Sequence, residues 1–322
     1  MEKFLRKLGL FVLINSVIII AFSLVGHGRY TDYISTIGDK HKLAKENDSP
    51  KILLAGGSNI AFGLSAEQIE QNLNLKAVNL GLNVGLSISF ILEEAKSLAQ
   101  AGDVIVLSIE PGMFPGSAKL DRPRSDLVFK LAMTHPQYLN IYLTNYKVLL
   151  DQGYQGIGGM FFTGMKDTLM SVLGKPIYTE KIYNRNSFSD RGDLNAHCGL
   201  PRNLTQTKFT GTSAYGAIWT SEHDERIKQI QSFSEELENR GVAVYYTFAP
   251  IPATNWKSSS AIANIIKEKL NNIKTIQLLD SPATQVYSDD IFYDTENHLN
   301  CEGRTQRTSL VIRNLKSLRH LP

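Results

Sequence analysis

The chain opens with an apolar segment that is long enough to cross a membrane. Leu8–Val25 holds 18 residues without a charge. A helix that spans a bilayer needs about 20 mostly apolar residues, and Lys3, Arg6 and Lys7 precede the segment. Because basic residues favour the cytoplasmic side, we expect a single transmembrane anchor, with everything after Val25 outside the membrane.

A cleaved signal peptide is the alternative interpretation of this segment. Such a peptide has an apolar core of about 7–15 residues and an A-x-A-like cleavage site. Leu8–Val25 is longer, and SLVGHGRY at its end offers a poor site. We therefore predict a cytoplasmic tip and anchor over residues 1–30, a polar linker over residues 31–50, and a folded domain over residues 51–322.

Downstream of Lys51, apolar runs of strand length alternate with stretches of helical spacing. The predicted strands are Lys51–Ala55, Ala77–Leu80, Asp103–Ile109, Val242–Phe248 and Thr275–Leu279. The predicted helices are about Ser65–Leu73, Ser87–Ala101, Ser221–Arg240, Ser258–Leu270 and Glu302–Leu318, the first with a capping box of Ser65 and Gln68. Strands that alternate with helices indicate an α/β fold with a parallel sheet covered on both faces.

The middle of the chain, from about residue 111 to residue 220, breaks this alternation. It is rich in Gly, Tyr and Phe, and GYQGIGGMFFTGM is its most irregular stretch. We interpret it as a large insertion over the carboxyl ends of the strands. Ligands bind at that edge in open α/β sheets.

The composition indicates a folded protein and excludes some classes, but it does not indicate which reaction the protein catalyses. The 322 residues are 43% hydrophobic and 20% charged, which suits one large or two small folded domains. The 34 Lys and Arg residues nearly balance 31 Asp and Glu, so the charge does not favour a nucleic-acid partner. Cys198 and Cys301 form no CxxC motif, which excludes a zinc ribbon. The sequence is compatible with a disulfide between the two cysteines in an oxidising compartment and equally with two free thiols in the core.

Ser58 is the candidate nucleophile, because it follows the first predicted strand in LLAGGSNIAFGLS. A serine on a tight strand-to-helix turn is held clear of the sheet, where a base from another segment can reach it. Gly56 and Gly57 let the backbone turn there without a side-chain clash. The segment is not a G-x-S-x-G elbow, since Ile60 stands where the second glycine is required. A plain turn is the alternative.

Asp294 and His298 are the candidate acid and base, in the sequence IFYDTENHLNCEG before the last helix. A catalytic histidine needs an acceptor on one ring nitrogen while the other takes the proton of the nucleophile. An acid four residues away in a loop can supply that acceptor. Asp289 and Asp290 are the nearest alternative acids.

These blocks resemble the SGNH (GDSL-type) hydrolase superfamily. The resemblance covers Lys51–Glu110 and about Gly241–Leu318, and it implies a three-layer α/β/α sandwich with a flavodoxin-like sheet. More narrowly, the chain resembles membrane-anchored members that accompany membrane-bound O-acyltransferases in acylating polysaccharides or teichoic acids. It implies Ser58 as nucleophile and Asp294 and His298 as acid and base, with no cofactor and no metal.

The resemblance also implies an oxyanion hole, and here the chain departs from the family pattern. A glycine of the second block maps to NLGLNVG, so Gly85 or Gly81 would be the backbone donor. The third block normally supplies an asparagine, but Glu110 and Pro111 stand at that place. Asn59 or Asn83 is the expected substitute.

Three functions are compatible with this pattern. The leading one is transfer of an acyl group, most simply acetyl, from Ser58 to a hydroxyl of a cell-surface or secreted polysaccharide. The family would place such a protein at the bacterial inner membrane, with its domain extracytoplasmic and a membrane-bound O-acyltransferase as partner. The second is a carbohydrate or lipid esterase with the same triad. The third is a non-catalytic scaffold that binds glycan or a membrane partner.

Overall fold

The structure is a computed structural model. It describes residues 1–25, 33–46, 48, 50–115, 127, 131, 158, 161–175, 180–203, 209–213 and 215–318. The chain divides into two compact units. The smaller comprises Met1–Thr36 and Pro123–Asn186, and the larger comprises Ile37–Arg122 and Ser187–Pro322. Within the irregular stretch GYQGIGGMFFTGM of the predicted insertion, residues 153–157 and 159–160 lie outside the described residues.

The smaller unit contains the amino-terminal helix α1, Glu2–Val25. Residues 161–172 are also helical, and the rings of Phe22 and Phe161 meet edge to face at 5.7 Å. Within the described residues, no helix combines the length and the apolar character needed to cross a membrane.

A second helix, α2 (Thr36–Glu46), lies in the segment that we predicted to be a polar linker. From Ile37 onward it belongs to the larger unit. Lys40 is fully buried, and its Nζ donates hydrogen bonds to Asn79 O at 2.7 Å and Gly192 O at 2.6 Å. Burial lowers the pKa of Lys40 to about 7. The polar composition was misleading because one of its charged side chains, that of Lys40, turns inward to donate to backbone carbonyls, while others such as Lys42 and Lys45 remain exposed.

The central sheet of the larger unit has five parallel strands. They are β1 (Lys51–Gly56), β2 (Lys76–Asn79), β3 (Val104–Ser108), β4 (Ala243–Tyr246) and β5 (Ile276–Leu278). Their order is β2-β1-β3-β4-β5, which is the order of flavodoxin-like sheets. All five predicted strands are confirmed, and each begins and ends within two residues of the predicted positions.

Helices cover both faces of this sheet, as the alternation predicted. They are α3 (Ser58–Gly63), α4 (Ala66–Leu73), α5 (Ile88–Leu98), α6 (Ser221–Asn239), α7 (Ala253–Asn271) and α8 (Cys301–Lys316). Side chains of α5, α6 and α7 share one apolar cluster with Leu53 and Ala55 of β1. Side chains of α3, α4 and α8 share the other with Ile52 and Leu54. Alternate residues of one strand therefore enter opposite layers of the core.

Two details of the helices differ from the sequence prediction. The short helix α3 begins at Ser58 itself, whereas the first helix that we predicted after the strand-to-helix turn begins at about Ser65. Ser65 caps α4 by accepting a hydrogen bond from Gln68 N–H at 3.2 Å. The capping box is not completed, because the backbone N–H of Ser65 donates to Thr308 Oγ1 at 3.1 Å and not to the Gln68 side chain. Tertiary contacts with α8 thus replace the reciprocal local bond.

Candidate active site

Two loops meet at the carboxyl edge of the sheet, where the sequence predicts the nucleophile. β1 ends at Gly56 and α3 begins at Ser58, while β3 ends at Ser108 shortly before Glu110. Gly56 and Ser108 are paired across the two parallel strands, so the two ends lie side by side. Ser58 and Glu110 are therefore neighbours at the edge where α/β folds bind ligands.

Gly56 and Gly57 permit close packing at this edge. Gly57 has φ −80°, which any residue can adopt, so backbone freedom is not the reason for glycine. A Cβ on Gly56 would collide with Ser108 O, and one on Gly57 would lie 2.6 Å from Glu110 Oε1. We expected these glycines to prevent a clash, and the structure shows that the clash would be with β3 and Glu110.

Ser58 is hydrogen-bonded to a carboxylate. Its Oγ donates to Glu110 Oε1 at 2.9 Å, and Asn59 N–H donates to the same oxygen at 2.9 Å. Ser58 is 8% exposed and Glu110 is 4% exposed. Sequence reasoning noted Glu110 only as a departure from a family pattern, and this contact with the candidate nucleophile was not foreseen.

The structure brings Asp294 and His298 together as predicted. Asp294 Oδ1 lies 2.7 Å from His298 Nδ1, and both residues are buried. Tyr293 N–H donates to His298 O at 2.7 Å, which holds the loop closed. A carboxylate at Nδ1 favours a proton on that nitrogen, and this tautomer has the basic lone pair on Nε2.

Helix α3 connects the two halves of the candidate triad. The ring of Phe62 stacks on His298 with centroids 3.9 Å apart and planes inclined by 1°. Ser58 and Phe62 are four residues apart in one helix, so they share a face. In the described part of the chain, the Ser58 hydroxyl is hydrogen-bonded to Glu110 and not to His298. The catalytic roles of Ser58, His298 and Asp294 stay predictions.

The predicted oxyanion donors Gly81 and Gly85 are engaged within the protein. Gly81 N–H donates to Asn79 Oδ1 at 3.0 Å, and Gly85 N–H donates to Asn83 Oδ1 at 2.8 Å. The turn that contains Asn83 and Gly85 nevertheless lies near the serine, since Val84 N is 3.5 Å from a Cβ built on Gly57. The second block therefore reaches the candidate site, with the amides of Gly81 and Gly85 satisfied by asparagine side chains.

Arg307 of α8 joins the helix that begins at Ser58 to the ends of β3 and β4. Its Nη1 donates to Asn59 O at 2.9 Å, and its Nη2 donates to Ser108 Oγ at 3.0 Å and to Phe248 O at 2.9 Å. The side-chain amide of Asn59 donates through Nδ2 to Ser108 Oγ at 2.9 Å, so this side chain points into the core rather than toward a substrate. Gly63 makes room for the guanidinium, because a Cβ there would lie 2.6 Å from Nη1.

Sequence reasoning missed Arg307, although its spacing offered a signal. Arg307, Val311 and Leu315 recur every four residues and are all fully buried. An arginine on the apolar stripe of a helix must find several acceptors in the core, because burying an unpaired charge is costly. Burial lowers the pKa of Arg307.

Replacing Arg307 with methionine should destabilise the larger unit. The substitution removes the donors of three buried oxygens, and a broken network of this kind typically costs about 3–5 kcal/mol. Arg313→Met on the same helix is the matched control, since Arg313 is exposed. Chemical unfolding should show the loss in Arg307→Met only. Equal stability of the two variants would show that Arg307 does not hold the serine turn.

A disulfide joins the two cysteines whose state the sequence left open. Cys198 and Cys301 are bonded, with Cα atoms 5.3 Å apart and a separation of 103 positions in sequence. Cys301 is the first residue of α8, directly after the His298 loop. The bond therefore fastens that loop to the segment around Cys198.

His197 lies between this disulfide and the candidate base. Its Nε2 is 3.5 Å from Cys301 Sγ, and its ring contacts the rings of Phe62 at 4.9 Å and Tyr293 at 5.5 Å. Burial, followed by the charge of Arg304, lowers the pKa of His197 to about 4. His197 is therefore neutral at pH 7 and serves as packing around Phe62.

Ligand atoms of His197, Cys198 and Cys301 also lie within 4.8 Å of one another, close enough for a metal ion. Cysteine binds metals as a thiolate, and both sulfurs are committed to the disulfide. The described geometry therefore fits a covalent bridge better than a metal centre.

Reduction of the disulfide should weaken the fold. A bond that closes a loop of roughly 100 residues stabilises a protein by about 2–5 kcal/mol. The chain has two cysteines, so a thiol reductant acts on this bond alone. Urea unfolding should shift to lower concentration with reductant, while the Cys198→Ser, Cys301→Ser double variant should start low and not respond. Two titratable thiols in the untreated protein would contradict the pairing.

A small cleft opens beside the candidate triad. Its lining includes Pro111, Tyr215, Asn255, Glu296 and Asn297. Asn255 Nδ2 donates to Glu296 Oε2 at 2.8 Å. Burial, followed by the nearby charge of Glu110, raises the pKa of Glu296. The cleft is small and lies between residues adjacent in sequence to Glu110 and His298.

Comparison of the chain with protein-family models gave no match, and comparison with curated proteins gave none either.

Proposed function

We propose that the protein transfers an acyl group through Ser58, with His298 as general base and Asp294 as its orienting acid. The support is the His298–Asp294 pair at 2.7 Å, which Phe62 holds against the helix that begins at Ser58. In this mechanism Ser58 Oγ attacks the ester or thioester carbonyl while His298 Nε2 takes its proton. His298 then protonates the departing group, and an acceptor hydroxyl takes the acyl group from Ser58 by the reverse steps.

The proposed acceptor is a hydroxyl of a cell-surface or secreted polysaccharide, and the proposed acyl group is acetyl. Both follow from the resemblance to SGNH proteins that partner membrane-bound O-acyltransferases, which we retain as part of the proposal. The disulfide supports an extracytoplasmic site, because such bonds persist in oxidising compartments. A membrane-bound O-acyltransferase remains the proposed source of the acyl group.

Attachment to a membrane through α1 is a further part of the proposal. The segment Leu8–Val25 carries no charge, and apolar side chains of α1 such as Phe11, at 65% exposed, face outward. Phe162 and Val172 of the same unit are 64% and 79% exposed. Large exposed apolar patches mark protein or membrane contacts. Recovery of the full chain in the soluble fraction of cells, without detergent, would contradict this attachment.

An acyl-transfer assay tests the proposed activity. The purified full chain in detergent is incubated with p-nitrophenyl acetate, with and without an oligosaccharide acceptor, and products are read by mass spectrometry. We expect acetylated oligosaccharide whose formation requires Ser58. Release of acetate at the same rate with no acetylated product would favour the esterase, in which water is the acceptor.

A non-catalytic scaffold is the second candidate, and a specific observation favours it. The amides of Asn59, Gly81 and Gly85 all donate to side chains within the protein, whereas acyl transfer needs donors directed at the oxyanion. A scaffold would bind glycan with and without Ser58 and would give no covalent intermediate. Trapping of an acyl group on Ser58 would exclude it.

A further inference from the structure

One carboxylate oxygen engages the two groups that acyl transfer at Ser58 requires. Glu110 Oε1 accepts the hydrogen of Ser58 Oγ and the hydrogen of Asn59 N–H, each at 2.9 Å. The absence of a side chain on Gly57 admits this oxygen, because a Cβ there would lie 2.6 Å from it. Glu110 is 4% exposed, so its contact with Ser58 and Asn59 is a buried contact of the fold and not one between surface side chains.

This contact conflicts with the geometry of the transition state. The Ser58 hydroxyl has to point at His298 for its proton to be taken, whereas here it points at Glu110. The backbone N–H of the residue that follows a nucleophile is a common oxyanion donor. Here that group, the Asn59 N–H, already donates to Glu110. A negative carboxylate beside the carbonyl would also oppose the negative charge that develops there.

Glu110 is a poor candidate for the base itself. Its Oε1 is already shared between the Ser58 hydroxyl and the backbone N–H of Asn59. His298 has the carboxylate partner that an active histidine requires. We therefore assign the deprotonation of Ser58 to His298, and the hydrogen bond from Ser58 to Glu110 holds the serine side chain in place.

We propose that Glu110 is a positioning residue that keeps Ser58 in a resting state, and that the acyl donor reaches Ser58 only after Glu110 has released Ser58 and the Asn59 amide. This inference rests on the proposed function. Once released, Ser58 Oγ forms a bond to the carbonyl carbon, its proton passes to His298, and the bond to the leaving group breaks as that group takes the proton. Glu110 takes part in none of these bond changes.

A serine-reactive fluorophosphonate probe tests the resting state directly. The phosphorus forms a bond to Ser58 Oγ and fluoride leaves, and mass spectrometry locates and times the labelling. In Glu110→Gln the side chain keeps its size but loses its charge. We expect labelling at least about fivefold faster than in the wild type, since the oxygen that opposed the anionic transition state is no longer charged.

Two further variants complete the experiment. Glu110→Ala removes the restraint together with the side chain and should also label faster, provided that a thermal melt shows a folded protein. Glu238→Gln makes the same charge change at an exposed position near the end of α6, beside the start of β4 and thus at the opposite edge of the sheet. It should label within about twofold of the wild type, because exposed charges interact weakly with a distant site.

The outcomes separate this inference from the proposed function. If Ser58 is labelled in the wild type and more slowly in both folded Glu110 variants, Glu110 assists the nucleophile and the resting-state proposal is wrong. If labelling never occurs at Ser58 in any variant, the serine is not a nucleophile, so the proposed function and this inference both fail.

Discussion

Ser58→Ala should abolish acyl transfer while the folded domain persists. The substitution removes the nucleophile, and loss of a triad member typically costs at least about a thousandfold in kcat. The fold should tolerate it because the change removes one oxygen and one hydrogen bond, to Glu110. We expect the free energy of unfolding to change by no more than about 1–2 kcal/mol. Turnover and urea unfolding of the same preparation measure both quantities.

Ser309→Ala is the matched control for this variant. Ser309 is an exposed serine of α8 that accepts a hydrogen bond from Gln68, so the same atoms are removed away from the site. Its turnover should equal that of the wild type. Activity of Ser58→Ala within about tenfold of the wild type would reject a covalent serine mechanism.

His298→Ala and Asp294→Asn should both be severely impaired, with the histidine variant the worse. Without His298, Ser58 would have to attack as a neutral hydroxyl. In Asp294→Asn the new side chain would keep the shape of the loop, but its amide can hold the imidazole in the wrong tautomer and does not stabilise the imidazolium. A change of this kind costs on the order of 10⁴-fold in a serine protease. Both losses should appear in kcat, since neither residue is expected to bind the substrate.

The pH dependence of the rate distinguishes a base from a structural residue. A general base acts only without a proton on the accepting atom, so the wild-type activity should fall on acidification if His298 is that base. That fall should vanish in the residual activity of His298→Ala. Asp289→Asn is the matched control for the acid, because Asp289 bonds Thr254 and not the imidazole. A silent Asp294→Asn with a severe Asp289→Asn would show that the four-residue spacing was misinterpreted.

Periodicity along the chain was sufficient to predict the sheet. Short apolar runs of strand length that alternate with helical stretches are typical of central strands in a parallel sheet, so Lys51–Ala55 and Asp103–Ile109 were located from the sequence. Helix bounds were less well determined, because the start of α7 at Ala253 depends on Pro252 and its neighbours rather than on an apolar stripe. The polar segment with α2 was misjudged because charge alone does not show that Lys40 is buried.

The pairing of Asp294 with His298 was also predictable, since both residues lie in one short loop and their spacing is a local property. Contacts between segments far apart in sequence were not predictable. Phe62 reaches His298, Glu110 reaches Ser58 and Arg307 reaches Asn59 only because a parallel sheet brings distant loops to one edge.

The sequence by itself therefore determined the α/β alternation, the candidate serine and the acid–base loop, because each is encoded in neighbouring residues. The tertiary structure alone decided that Cys198 and Cys301 pair and that the Ser58 hydroxyl faces a carboxylate. The physical reason is that hydrogen bonds and disulfides depend on distances between side chains, and the packing of β1, β3 and α8 sets those distances.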